Sequence, residues 1–240
     1  MTDPRFWELH SGLAHEAPGS RADTLRALAL TGLSGRLRVL DAGSGPGAAS
    51  LALLAALPEA EVTAVDLHAP SLAAAEARAR VAGFGPRFRT LAANMAALPF
   101  PPGSFDLVWS EGAAYTVGVP RALAAWAPLL APGGRIAFSD AVWLTPTPHP
   151  RARALFAEYP AMTDLPGVRL WIAAAGLAPI GDFLLSREAW QAYYIPLAGR
   201  LDMLVARHGP DHPAFAEAAE EIAVWREHGA DYGYGFFVVG

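Results

Sequence analysis

The sequence predicts an α/β fold in which helices cover both faces of a mostly parallel β-sheet. Short apolar segments rich in Val and Leu alternate with alanine-rich segments of helical length from residue 38 to residue 141. Such βαβα alternation is typical of a parallel sheet wrapped by helices. The chain is 53% hydrophobic and only 17% charged over 240 residues, so it can bury the large core that this fold needs.

The elements follow from this alternation and from its breaks. Ser20 and Asp23 form a capping box for a helix that runs to about Thr31, and Gly32 ends it. The residues before Ser20 are expected to be irregular. Strands are predicted at Arg38–Asp41, Glu61–Asp66, Phe88–Leu91, Asp106–Ser110, Arg135–Ala141, Ala178–Leu185 and Phe236–Val239. The further helices are predicted at Ala48–Leu57, Ser71–Ala82, Val119–Leu130, Arg151–Glu158, Gly167–Ala175, Ser186–His208 and Pro213–His228.

The composition argues against several classes of partner and site. The formal net charge is −5 and no basic block occurs, so nucleic acid is not an expected partner. No apolar run approaches the length of a membrane span, and Met1–Arg5 does not look like a targeting segment, so we expect a cytoplasmic protein without membrane contact. The chain has no cysteine and no close histidine spacing, and we predict no metal site.

The segment from Asp41 to Gly47 carries the most information about function. A strand ends in an acid, and three glycines then alternate before a helical pattern, which predicts a tight turn whose backbone N–H groups face a nucleotide-type ligand. Gly43, Gly45 and Ala48 fit the G-x-G-x-x-A dinucleotide fingerprint, with Asp66 about 20 residues further on. Asp41 favours a second interpretation, because its carboxylate would repel a pyrophosphate but suit a cationic ligand.

Four segments in register resemble the class I S-adenosylmethionine (SAM) dependent methyltransferases, in particular the type 11 group. They are Asp41–Gly47, Val62–Asp66, Ala92–Phe100 with Phe105–Ser110, and Leu129–Arg135. Features nearer the chain ends, such as Ser139–Trp143 and Asp231–Phe237, are similar to a bacterial subgroup of that family whose substrate is unassigned. The resemblance implies a Rossmann-like, seven-stranded sheet with the last strand antiparallel.

The same resemblance implies SAM as cofactor and assigns its contacts. Asp66 would bind both ribose hydroxyls, and the glycine loop would face the methionine end. Asn94 stands where the family usually has Asp, but its side-chain oxygen can still accept a hydrogen bond from the adenine amino group. The predicted cofactor-binding residues are Asp41, Ala42, Gly43, Ser44, Gly45, Gly47, Asp66, Leu67, Asn94, Met95 and Ser110.

Acceptor chemistry is expected outside the carboxyl ends of the strands, where ligands bind in open α/β sheets. Glu111 and Tyr115 follow the fourth strand and are the candidate catalytic residues, Glu111 as a carboxylate that meets the acceptor or its proton. Trp143 and Tyr194, together with Trp190, are candidates for the wall of an apolar acceptor pocket in which Glu111 is the main charge. Each of these residues would be equally ordinary as a solvated carboxylate or a core aromatic.

The expected organisation is one methyltransferase domain over residues 1–240. It comprises an N-terminal cap segment at 1–36, a SAM-binding core at 37–141, lid insertions at 142–166 and 186–228, and the last strand at 229–240. The predicted function is methyl transfer to a small-molecule acceptor by a monomer or homodimer. Two alternatives stay open, a nicotinamide-dependent oxidoreductase and a SAM-binding protein that transfers no methyl group.

Overall fold

The computed structural model describes residues 4–13 and 15–240, so residues 1–3 and 14 of the predicted N-terminal segment lie outside the described residues. The helices are α1 Pro4–His10, α2 Arg21–Thr31, α3 Ala48–Ala56, α4 Ala69–Val81, α5 Val119–Trp126, α6 Pro150–Leu155, α7 Leu165–Ala174, α8 Arg187–His208 and α9 Pro213–His228. The strands are β1 Arg38–Ala42, β2 Glu61–Asp66, β3 Phe88–Ala92, β4 Phe105–Glu111, β5 Leu130–Trp143, β6 Thr163–Asp164, β7 Pro179–Leu184 and β8 Tyr232–Val239.

The strands form one mixed sheet in the order β3-β2-β1-β4-β5-β8-β7. All pairs from β3 to β5 are parallel, whereas β8 is antiparallel to both β5 and β7. The predicted α/β fold with an antiparallel last strand is therefore confirmed. The two-residue β6, which pairs with the end of β5, is an addition to the seven expected strands.

The strand order reverses between β1 and β4, because β2 lies on one side of β1 and β4 on the other. At such a switch point the loops after neighbouring strands diverge and leave a crevice at the carboxyl ends. The glycine loop after β1, Asp66 at the end of β2 and Glu111 at the end of β4 all reach this crevice. The topology therefore brings together residues that are up to 70 positions apart in sequence.

The last strand differs from its prediction. It begins at Tyr232 and not at Phe236, and all eight of its residues are buried. Tyr232 and Tyr234 lie in the interior of the sheet, because β8 is placed between β5 and β7. Glycines at alternate positions of β8 weaken the strand pattern in the sequence. The missing side chain at Gly233 also lets the large neighbour Leu144 pack close to the β8 backbone.

The residues before Ser20 are also more regular than expected. They include the seven-residue helix α1, which packs against α8 and α9 and buries Leu9. An isolated helix of this length is unstable in water. Tertiary packing therefore maintains α1, which is why no local pattern predicted it.

The helices between β7 and β8 agree closely with the prediction at Ser186–His208 and Pro213–His228. Ser186 caps α8 by accepting a hydrogen bond from the Ala189 amide at 3.2 Å. The Trp190 ring on α8 packs edge-on against Tyr234, which pairs with Ala141 near the carboxyl end of β5. These helices therefore cover the end of the sheet at which the crevice lies.

Candidate active site

Three left-handed glycines shape the loop after β1. Gly43, Gly45 and Gly47 have φ values of +75°, +49° and +86°, a region that residues with a Cβ rarely adopt. A Cβ on Gly43 would lie 2.4 Å from the Cβ of Ala113, so side-chain bulk is excluded here as well. The Gly43 and Ser44 amides donate to the Val65 carbonyl at 2.8 and 3.0 Å, which fixes the loop to β2.

Asp66 braces the same loop. Its Oδ2 accepts a hydrogen bond from the Gly45 amide at 2.8 Å, and its Oδ1 accepts one from the His68 amide at 2.8 Å. A carboxylate offers about four lone-pair sites, so acceptor capacity remains for a ligand diol. Asp66 therefore has a structural role in addition to the ribose contact expected from sequence.

Asp41 lies buried at the end of β1 and lines the crevice. The Ser50 hydroxyl donates to its Oδ2 at 2.6 Å. Burial raises the pKa of Asp41 to about 6, and the neighbouring Asp66 charge acts in the same direction, whereas the Ser50 hydrogen bond opposes them. A positively charged ligand would favour the ionised form of this group.

A turn after β3 forms the other end of the crevice. The Asn94 side-chain oxygen accepts a hydrogen bond from the Ala96 amide at 2.9 Å, and the buried Trp126 indole donates to the Met95 carbonyl at 2.9 Å. Asn94 thus shapes the turn, and its oxygen has a second lone pair available to a ligand.

The crevice encloses a cavity of about 510 Å³, which we call the cofactor cavity. The predicted cofactor residues that line it are Asp41, Gly43, Ser44, Gly45, Asp66, Leu67, Asn94 and Met95. Three others do not. Ala42 and Ser110 are fully buried within strands, and Gly47 packs against Ala75 of α4.

The N-terminal segment forms a wall of this cavity that sequence motifs did not identify. The Arg78 guanidinium donates to the carbonyls of Leu13 and Pro46 at 3.0 and 3.1 Å, so it joins this segment to the glycine loop. The Trp7 ring stacks on His68 with ring centres 3.6 Å apart. Glu16 enters the cavity and accepts a hydrogen bond from the Ser71 hydroxyl at 3.1 Å.

Glu111, a predicted catalytic residue, lines the cofactor cavity at the end of β4. Its Oε1 accepts hydrogen bonds from the Thr24 hydroxyl and the Trp109 indole, both at 2.8 Å. Burial raises the pKa of Glu111 to about 7, although both hydrogen bonds favour the ionised form. Glu111 can therefore exchange a proton near neutral pH.

A second cavity of about 250 Å³, which we call the aromatic cavity, adjoins the first. The two share six lining residues, namely Phe6, His10, Glu16, Ala17, Pro18 and Tyr115. Tyr115, Trp190 and Tyr194 line the aromatic cavity as expected, but its carboxylates are Glu16, Glu158 and Glu221. The expectation that Glu111 is the main charge of this pocket is corrected, because Glu111 faces the cofactor cavity alone.

Trp143 lies elsewhere. It lines neither of these cavities but a shallow groove that it shares with Leu165 and Met162. The Phe156 ring, which does line the aromatic cavity, packs edge-on against Trp143 at 5.6 Å and separates it from that space. A side chain from the proline-rich segment thus takes the position expected for Trp143.

Buried polar groups surround the aromatic cavity. The Tyr159 hydroxyl donates to Asp140 Oδ2 at 2.7 Å, and burial raises the pKa of Asp140 to about 7. His10 Nδ1 lies 2.8 Å from the Phe6 carbonyl, so Nδ1 carries the proton, and Nε2 accepts from the Tyr193 hydroxyl at 3.3 Å. Burial lowers the pKa of His10, which is therefore neutral near pH 7.

No metal site accompanies these groups in residues 4–13 and 15–240, where no cluster of three or more His, Asp or Glu side chains could hold an ion. Within the same residues, no helix is long and apolar enough to cross a bilayer.

Comparison with known proteins agrees with this geometry. Residues 39–134 match the family model of a methyltransferase domain. The chain is 40% identical over 100 residues to a demethylmenaquinone methyltransferase of Thermus thermophilus, covering 41% of this chain and 44% of that protein. It is 36% identical over 100 residues to the ubiquinone/menaquinone biosynthesis C-methyltransferase UbiE of Dinoroseobacter shibae, covering 41% and 40%. The chain thus spans less than half the length of these curated relatives.

Solved structures extend the match to the whole fold. A SAM-dependent methyltransferase from Geobacter sulfurreducens, in complex with S-adenosyl-L-homocysteine, superposes with a TM-score of 0.84 at 20% identity, covering 99% of this chain and 98% of that one. The [4+2]-cyclase SpnF superposes with a TM-score of 0.78 at 19% identity, covering 98% and 94%. The expected class I methyltransferase resemblance is confirmed for the fold, and residues 39–134 match the family model of a methyltransferase domain.

Proposed function

Since residues 39–134 are a methyltransferase domain of the class I fold, we propose that this protein transfers the methyl group of SAM to a small-molecule acceptor. The observation that carries the proposal is the junction of the two cavities. A nucleotide-type cavity built on the glycine loop adjoins an aromatic cavity, and Tyr115 lines both. A donor and an acceptor bound there would lie side by side and be shielded from water, which is what a displacement reaction requires.

The cofactor cavity fits SAM by its own features. The loop packs so closely against Ala113 that no Cβ fits at Gly43, and the buried Ser44 hydroxyl has no hydrogen-bond partner among the described residues. We assign the ribose to Asp66, the adenine to Asn94 and Met95, and the methionine end to the glycine loop. When bound, SAM supplies a methyl group already activated by its sulfonium.

Charge supports the same assignment. Among the described residues, four carboxylates line the cofactor cavity, from Glu16, Asp41, Asp66 and Glu111, and no arginine does. SAM carries a net positive charge, whereas NAD carries a negatively charged pyrophosphate that these carboxylates would repel. The acidic lining therefore favours SAM over a nicotinamide cofactor.

We assign acceptor positioning to Tyr115 and proton exchange to Glu111. Tyr115 lies at the junction of the cavities, and its ring packs against Tyr159 with centres 5.5 Å apart. The Oε1 atom of Glu111 is held by Thr24 and Trp109, so the group has a fixed orientation toward the cavity. A general base is useful to the reaction only when the acceptor must lose a proton.

The segments at 1–36, 142–166 and 186–228 serve in this proposal as a cover over the acceptor. Phe6 and His10 from α1, Phe156 and Tyr159 after α6, and Trp190 from α8 line the aromatic cavity. A space of about 250 Å³ suits a small molecule and not a nucleic acid. Cytoplasmic location and a monomeric or homodimeric state remain predictions.

Two measurements test the proposal. Titration calorimetry with SAM, S-adenosylhomocysteine and NAD should show binding of the first two and none of NAD. A turnover screen with SAM labelled in its methyl group should then transfer label to an acceptor from a small-molecule panel. NAD binding without SAM binding would favour the oxidoreductase, and SAM binding without transfer to any acceptor would favour a SAM-binding protein that is not a methyltransferase.

A further inference from the structure

Aromatic rings form much of the lining of the aromatic cavity. Five of the six tyrosines of the chain line it, together with Trp190. Their rings contact one another, as shown by Trp190 and Tyr234 at 5.5 Å and by Tyr193 and Tyr194 at 4.9 Å between ring centres. The negative face of an aromatic ring attracts cations, and a cavity enclosed by several rings is suited to bind an ammonium group.

All the charged side chains that line this cavity are acidic, and the residues that line it include no arginine. Glu16, Glu158 and Glu221 contribute carboxylates, and the chain has no lysine. His10 is neutral near pH 7 because burial lowers its pKa. A carboxylate or phosphate on the acceptor would lose its hydration here without gaining a counter-charge, which is costly.

Of these three carboxylates, Glu221 gives the clearest indication of the charge of the ligand. It lies on α9 and lines the cavity together with Tyr193 and Tyr194, and burial raises its pKa, although these two tyrosine hydroxyls favour its ionised form. No arginine forms an ion pair with Glu221 among the described residues, in contrast to Glu220 beside it, which pairs with Arg151 at 2.9 Å. A buried carboxyl among aromatic rings is stabilised when a cation enters the same space.

We propose that the methyl acceptor is a small aliphatic amine, which binds in the aromatic cavity as its ammonium ion with Glu221 as counter-charge. This inference rests on the proposed methyltransferase function and specifies its substrate class. Three features agree in supporting it, namely the ring of tyrosines, the acidic lining without arginine, and a carboxyl group that lacks an ion-pair partner.

The reaction requires the neutral amine. The bound ammonium first gives a proton to Glu16, the carboxylate that lines both cavities, from which it passes to water. The nitrogen lone pair then forms the new N–C bond as the C–S bond breaks, and the electron pair of that bond stays on sulfur as a thioether. The product is a methylated ammonium ion, so charge and atoms balance.

The test compares three probes of one shape and different charge. These are choline, its uncharged carbon analogue neohexanol and the anion tert-butylacetate, each titrated calorimetrically into the protein saturated with S-adenosylhomocysteine. Choline has no nitrogen lone pair, so binding is measured without turnover. We expect choline to bind about tenfold more tightly than neohexanol, and tert-butylacetate to bind least. Equal affinity for choline and neohexanol, or preference for the anion, would overturn the inference.

A matched pair of variants locates the counter-charge. Glu221→Gln should weaken choline binding about tenfold and leave neohexanol binding unchanged, because it removes the charge and keeps the shape. Glu217→Gln, on an exposed face of the same helix, should change neither affinity. If Glu221→Gln proves unstable, Glu158→Gln at the exposed rim of the cavity provides the same comparison with a smaller expected loss.

The failure of this inference is distinguishable from failure of the proposed function. Loss of the function would appear as no binding of SAM or S-adenosylhomocysteine, whatever choline does. If SAM binds and label is transferred to phenols or carboxylic acids but to no amine, the function stands and the assignment of an amine acceptor is wrong.

Discussion

The two cavities meet at Tyr115 but are built in different ways. The cofactor cavity is built around the turn after β1 and the ends of β2 and β3, with a further wall from the N-terminal segment. The aromatic cavity is formed by side chains from α1, α8, α9, β8 and the segment after α6. Backbone geometry depends on a few residue types at fixed spacing, whereas a side-chain lining can be changed without altering the fold. The first cavity thus identifies the fold, and in the proposed function the second would determine the individual acceptor.

The largest expected effect is on the backbone of the cofactor cavity. In Gly43→Ala the new methyl group would lie 2.4 Å from the Cβ of Ala113 at a φ of +75°. We expect SAM affinity to fall by about a hundredfold, because the loop must move to relieve the clash. Calorimetry with SAM measures this.

Gly103→Ala is the matched control for that change. Gly103 has a φ of +72° but no atom within 4 Å of its Cβ position, and it lies in the loop before β4. Gly103→Ala should lower the free energy of unfolding by about 1 kcal/mol and leave SAM affinity unchanged. Similar affinity losses in both variants would mean that backbone strain in general, and not the packing at the loop, is responsible.

Removal of the Asp66 carboxylate should have the next largest effect. Asp66→Ala loses both the proposed ribose contact and the hydrogen bond from the Gly45 amide, so SAM affinity should fall by about tenfold or more. Asp106→Asn, at the start of β4 and remote from the crevice, should leave the affinity unchanged. If Asp66→Ala bound SAM as tightly as the wild-type protein does, Asp66 would not be part of the cofactor site.

The third prediction concerns pH and the boundary between the cavities. The pKa of Glu111 is raised from 4.5 to about 7 in the folded state, so the folded protein binds a proton that the unfolded chain releases between these values. Glu111 therefore lowers stability as pH rises from about 4.5 to about 7. Glu111→Gln keeps the acceptor oxygen for Thr24 and Trp109 and removes the titration.

Urea unfolding of both proteins at about pH 5 and about pH 8 checks this sign. Glu111→Gln should gain stability relative to wild type as pH rises, by on the order of 2 kcal/mol in total. A difference between the two proteins that does not change with pH would show that Glu111 titrates normally and has no raised pKa.

The smallest expected effect lies within the aromatic cavity. Tyr159→Phe removes the hydroxyl that donates to the buried Asp140 carboxyl at 2.7 Å. We expect a loss of about 1 kcal/mol in stability and no change in SAM affinity. A cycle with Asp140→Asn tests the coupling, and additive losses in the double variant would mean that the hydrogen bond contributes nothing.

Sequence reasoning succeeded where function depends on local backbone. The glycine spacing, the acid at the end of β2 and the cap at Ser20 could all be predicted, because each depends on residues within a few positions. The lengths of α8 and α9 were equally clear from their flanking Gly and Pro residues. These features position the cofactor cavity, which explains why eight of the eleven predicted cofactor residues line it.

The aromatic cavity was harder to predict because its lining depends on packing between distant segments. Glu221 gave no signal among the acidic residues of α9, and Trp143 was expected at a position that Phe156 occupies. Helix α1 is held by tertiary contacts, so the wall that it contributes was likewise missed. Spacing in sequence does not encode which of several aromatic residues reaches a shared space.

The acidic lining of the cofactor cavity also bears on product release. In the proposed reaction, methyl transfer would remove the sulfonium charge, so the product, S-adenosylhomocysteine, would have no net charge in a space lined by Glu16, Asp41, Asp66 and Glu111. The same wall that attracts the donor thus holds its by-product less strongly, and the loss of attraction coincides with the chemical step. The charge of the cavity would favour replacement of S-adenosylhomocysteine by SAM, which would help this protein begin its next catalytic cycle.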